Sequence, residues 1–269
     1  MRERAPRIVL TAAFAGIVAA LVAPQPGWAF DDTTRLLASN SRAPETLSAL
    51  GESLKEVLTP EIGFPAENIE QWHMAVDVAF APELLEADFL AALDSELTAD
   101  ARSAALAFDA SALGRLAADL VESSYVNEPD EAQLAATRSR MEAAAAGRNA
   151  LFVDLFELQA GPERANAATD VYFRAMRAAA TPVVGAEAAS QWILSAGDLR
   201  SSYVERYFIV TVLMFDQLPD ERLRELVSKF KGPEMKDYAT QSTTAFAKAL
   251  HAAAERLELA YAKSFHDGN

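Results

Sequence analysis

Cysteine is absent from all 269 residues. Its absence excludes disulfide frameworks, thiol nucleophiles, redox pairs and cysteine metal sites, and leaves packing alone to hold the fold. Glycine is nearly as scarce. Of the eleven glycines, the closest two, Gly16 and Gly27, stand eleven positions apart, so no glycine-rich loop is present to cradle a nucleotide phosphate. There are three histidines and no G-x-S-x-G, and the serines fall in capping or polar-face positions that need no catalytic explanation. Basic residues are outnumbered 24 to 39, a formal charge of −15. Such a field repels phosphate backbones and anionic lipid, which argues against nucleic acid or a charged membrane face as partner. Solubility is its simplest role.

What the chain has in quantity is alanine, about one residue in five. With so little glycine, that balance favours helix, because alanine loses least and glycine most on entering one. An all-α protein is expected, a helical bundle or array. The first 29 residues read as a secretory signal peptide: Arg2, Arg4 and Arg7 precede the sixteen apolar or small residues Ile8 to Ala23, and Pro24 and Pro26 break that run before Gly27 and Ala29. Sixteen residues fall short of the ~20 needed to span hydrocarbon, so cleavage after Ala29 is expected rather than a membrane anchor. The remaining 240 residues carry 21 basic and 38 acidic side chains, a formal charge of −17. Export to the periplasm of a Gram-negative bacterium is expected, and without cysteine a lipid anchor at the processed end is not expected.

Helical spacing runs through most of the remainder. Leu47, Leu50, Leu54, Val57 and Leu58 share one face of a segment over Ala43 to Leu58, which Thr59, Pro60, Gly63 and Pro65 stop. Helices are predicted over Glu67–Phe80, then, after an interruption at Pro82, through Leu84, Leu85, Phe89 and Leu93, over Ala99–Asp109 capped by Thr98, and over Ala112–Tyr125 capped by Ser111. Asn127 to Asp130, with Pro129 inside, is the best internal boundary. It divides residues 30–126 from 127–269, two helical halves expected to pack as one globular unit. Further helices are predicted over Glu131–Ala146, ended by Gly147, over Asn149–Gln159, and over Glu163–Ala180, ended by Pro182 and Gly185. Glu187–Gln217 accommodates one long helix or two, because Gly197 lies inside it. Its run Tyr207 to Phe215 fits a buried strand as well as a helix. Helix is preferred there, since a lone strand would leave its backbone groups unpaired. Pro219 starts a helix to Lys231, and after Gly232-Pro233 a long one runs to about Ser264.

Leu97–Leu120 and Leu218–Gln241 each read as a short helix, a break and a longer helix. After a one-residue slip, an offset of 122 pairs Phe108 with Phe230, Ser111 with Pro233 and Leu113 with Met235. An internal duplication would leave this pattern, with the two phenylalanines anchoring equivalent packing positions, and so would two independent helix-turn-helix segments with ordinary capping. The segment LTADARSAALAFDASALGRL, Leu97 to Leu116, resembles the exported bacterial proteins known as domain of unknown function 2059, with Phe108, Ser111, Leu113 and Gly114 in that pattern. In the later copy Lys236 stands where the glycine would be, and Lys229-Phe230 replaces the usual aromatic pair. The resemblance implies an exported α-helical protein and brings no catalytic residues with it.

Candidate chemistry is sparse. Glu70 and His73 form an E-x-x-H on a predicted helix, half of a dimetal carboxylate motif whose second half is missing, so they are weak metal candidates and no cofactor is expected. His73 with Asp77 and His251 with Glu255 are i, i+4 pairs of the kind that steady helix surfaces. Aromatic residues concentrate in the second half, where Phe152, Phe156, Phe173, Trp192 and Tyr207 are candidates for a hydrophobic-ligand pocket between helices, against ordinary core packing. Three readings of function follow. The first is a non-catalytic periplasmic binding or chaperone-like factor with an envelope protein as partner; the second is a carrier of a lipid or other apolar ligand; the third is a hydrolase using paired carboxylates.

Overall fold

The computed structural model describes residues 31–59, 64–126, 129–194 and 197–266, and within them it holds thirteen α-helices and no strand. The signal segment and its cleavage site, Pro60, Gly63 and the start of the 127–130 boundary lie outside the described residues. In order the helices are α1 (Asp32–Ser41), α2 (Ala43–Lys55), α3 (Ala66–Ala79), α4 (Pro82–Glu96), α5 (Ala99–Asp109), α6 (Ala112–Val126), α7 (Glu131–Ala143), α8 (Ala146–Leu158), α9 (Gly161–Val184), α10 (Ala186–Leu194), α11 (Gly197–Phe215), α12 (Asp220–Phe230) and α13 (Pro233–His266). None is long and apolar enough to cross a membrane.

The starts of these helices follow from side-chain acceptors and prolines. Thr98 Oγ1 accepts the Ala101 N–H at 3.3 Å, Ser111 Oγ accepts that of Gly114 at 2.9 Å, and Asp130 with Gln133 forms a reciprocal capping box. Proline occupies the first turn of α2, α4 and α9, where its missing N–H costs nothing. Tyr207 to Phe215 is helix, the end of α11. Helix α1 was not legible as a periodic face; Asp31 caps it and Leu37 and Ala38 bury it. Gly147 lies inside α8 instead of ending α7, and Pro182 lies inside α9. Only two residues follow Pro182 before Gly185, at φ 82°, closes the helix with its N–H on the Thr181 carbonyl.

The buried side chains form two clusters. One gathers α1 to α5 with α9 and the C-terminal part of α13; the other gathers α6, α8, the end of α11, α12 and the start of α13. Residues from both sides of the 126/127 boundary enter each cluster. Helix α13, about 50 Å long at 1.5 Å per residue, touches α3, α4, α5, α9 and α12. Phe246, Leu250, Ala253, Leu257 and Tyr261 recur along it at three and four and are all buried. Trp72 is fully buried, donates Nε1–H to the Leu54 carbonyl at 2.7 Å and meets Tyr261 edge-on at 5.0 Å. Truncating such a side chain costs about 3–5 kcal/mol. Polar ties join the same helices: Arg174 on α9 holds Glu258 on α13 through two 2.6 Å hydrogen bonds, and the paired carboxylate draws the Arg174 pKa above its ordinary value.

The two helix-turn-helix segments are built alike in backbone. Helices α5 and α12 span eleven residues each. The Ala110 N–H bonds the Leu106 carbonyl and the Lys231 N–H the Val227 carbonyl, both at 3.0 Å. These bonds and the helix bounds agree at an offset of 121, whereas the apolar side chains agree at 122. Phe108 is therefore the last residue but one of α5, Phe230 the last of α12, and the two do not fill equivalent positions. They meet each other instead, edge to face, with centroids 5.5 Å apart. A Cβ on Gly114 would lie 2.0 Å from the Phe108 carbonyl oxygen; at the backbone offset its counterpart is the buried Met235, and Lys236, which the side-chain register pairs with it, is exposed one residue further on.

Candidate functional site

Between the α5–α6 hairpin, the α8–α9 turn, α11 and the α12–α13 hairpin lies a cavity of about 320 Å³, toward the small end of the range that holds small ligands. Phe108, Phe156, Tyr207, Phe215, Phe230 and Met235 give it an apolar wall. Asn40, Asp109, Arg115, Gln159, Arg164, Tyr238 and Ser242 supply its polar groups.

The wall depends on a tight turn. Ala160, between α8 and α9, adopts φ 53° and ψ 38°, a left-handed conformation rarely taken by residues with a Cβ. The turn brings Gly161 against the Phe156 ring so closely that a Cβ on Gly161 would stand 2.3 Å from two ring carbons. Glycine is required there. Phe156 in turn packs on Phe208 at 5.3 Å and Tyr207 at 6.2 Å. A second concavity, an open groove of about 600 Å³ between α8, α9 and α11, is lined by Val153, Phe156, Pro162, Val204 and Phe208. Phe156 is common to both and stands between the groove and the cavity.

The polar groups lie close to one another. Tyr238 and Ser242 are one turn apart on α13, and Arg164 Nη2 donates toward Ser242 Oγ at 3.4 Å. Burial pushes the Tyr238 phenol up to about 12, with the Asp109 charge adding to the rise and Arg164 opposing it. Desolvation raises the Asp109 carboxyl above its ordinary value against the lowering effect of its hydrogen bond from Asn40 Nδ2, 2.7 Å long. Asp109 is the one carboxyl lining the cavity among the described residues. Two acids facing each other across a substrate are therefore not assembled here.

Of the aromatic candidates taken from the sequence, Phe156 and Tyr207 line the cavity together. Phe152 is buried in the core beside it, under the Arg148 guanidinium at 5.2 Å. Phe173 packs against the other cluster, with Arg200 over its ring at 5.8 Å. The Trp192 side chain lies outside the described residues. Glu70 is exposed on α3, and His73 Nε2 lies 3.1 Å from the Lys55 carbonyl. Asp77 pairs with Lys55 at 2.6 Å. Among the described residues no three histidine or acidic side chains converge as a metal would need. Arg164, Gln159 and Ser242 were missed by sequence reading, because polar residues on solvated and cavity-facing helix faces look alike in one dimension. No family model, curated protein or solved structure matches this chain.

Proposed function

We propose that this is an exported, non-catalytic binding protein whose partly open cavity holds a small amphipathic molecule. The observation that carries the reading is the cavity itself: an aromatic wall with a few converging polar groups, the usual composition of a small-molecule site. Its single acidic side chain favours binding over a hydrolase with paired carboxylates. A partly open concavity, in place of a flat apolar face, favours a small ligand over an envelope protein as the partner. The leader-like first 29 residues and the resemblance of Leu97–Leu116 to an exported family support a periplasmic setting.

Native mass spectrometry on the full chain, expressed with its leader and released from the periplasm, tests this. The expected spectrum is the mass of a chain beginning at Phe30 plus an adduct of a few hundred daltons, shed on collisional activation. A clean unliganded mass under gentle conditions would contradict the reading.

A further inference from the structure

Arg164 is a cavity group that an apolar ligand leaves unused. It sits in the first turn of α9, where its Nε donates to Thr243 Oγ1 at 3.3 Å, its Nη2 to Ser242 Oγ at 3.4 Å, and its guanidinium lies 5.7 Å over the Phe246 ring. These contacts, all from α13, fix its direction without neutralising it. Of the neighbouring arginines, Arg174 holds Glu258 at 2.6 Å and Arg200 holds Asp170, whereas Arg115, which also lines the cavity, is exposed and donates to the Ala110 carbonyl. Arg164 has no carboxylate within ion-pair distance among the described residues, in a chain where acids outnumber bases 39 to 24. A guanidinium carries five N–H donors. Two are engaged on α13, so three are left for an occupant of the cavity. Beside them the Tyr238 hydroxyl lines the cavity with no hydrogen-bond partner among the described residues.

On the reading that the cavity binds a small molecule, we propose that its ligand is an amphiphile with a single carboxylate head, seated on Arg164, and an apolar body against Phe108, Phe156 and Tyr207. The planar carboxylate matches the guanidinium fork, two parallel N–H···O bonds that an ammonium or a neutral head cannot make. Tyr238, held protonated by burial, supplies a further donor to the same head.

The test uses the full chain and N-phenyl-1-naphthylamine, an uncharged fluorophore that reports the apolar wall alone, displaced by octanoate or by octanol. Octanoate is expected to displace it from the wild-type protein at concentrations at least roughly tenfold lower than octanol, the scale of a charge-assisted hydrogen bond. Arg164→Gln should erase that preference with the octanol curve unchanged, and Arg164→Lys should restore part of it. Equal displacement by the two competitors on the wild type, which needs no variant to fold, would overturn the carboxylate assignment. A preference that persists in Arg164→Gln would overturn the role of Arg164. If the fluorophore itself does not bind, the cavity reading fails, a different result from either.

Discussion

Ala160 concentrates the conformational cost of this site in one residue. An L-residue in the left-handed region costs about 1–2 kcal/mol, and Ala160 takes it so that Gly161 can bring Phe156 into the cavity wall. Glycine would relieve that strain but lose more entropy on folding, leaving a net gain of about 0.5–1 kcal/mol. Ala160→Gly is therefore expected to raise Tm by roughly 1–3 °C in a thermal melt followed by circular dichroism. A lower Tm would mean the turn is not strained. Asp109 predicts a pH dependence. Its raised pKa means the folded chain keeps a proton that the unfolded chain releases, so this group removes stability as pH rises from about 3.8 through its folded value. Asp109→Asn should accordingly melt higher than wild type at pH 7, with the gap closing as pH falls toward 4. A gap that is constant with pH would assign the effect to the Asn40 hydrogen bond alone.

At the scale of elements, the cavity is what remains where two helical hairpins and the α8–α9 turn meet without filling the space between them. Phe108 and Phe230 join the hairpins across 5.5 Å. Edge-to-face pairs contribute about 0.5–1.5 kcal/mol beyond burial. A double-mutant cycle with Phe108→Leu and Phe230→Leu, read by urea denaturation, should therefore give a coupling of about 1 kcal/mol; strict additivity would show that the hairpins are not in contact there. Most elements are legible in the sequence. Thr98 and Ser111 announced α5 and α6, and the stripe through Trp72 announced α3, because caps and apolar periodicity are local signals. The failures were equally local: Pro182 reads as a breaker but sits where a helix is about to end anyway.

The whole molecule is an acidic helical array with no cysteine, its two apolar clusters bridged by α13. That the second half is rich in aromatics was visible in the sequence; which of them face a void was not. Phe152 and Phe156 are one turn apart on α8, yet one is core and the other cavity wall, because that depends on what α9 and α11 place opposite. Arg164 stands among charged residues that look equivalent until their partners are known. The most direct measurement of the central claim is an equilibrium fluorescence titration of N-phenyl-1-naphthylamine into the wild-type chain and into Ala118→Trp, an exposed position at the cavity whose enlargement plugs it without touching the core. One saturable site in the wild type, lost in a folded Ala118→Trp, is the predicted result. No saturable binding, or binding unchanged by the plug, would contradict it.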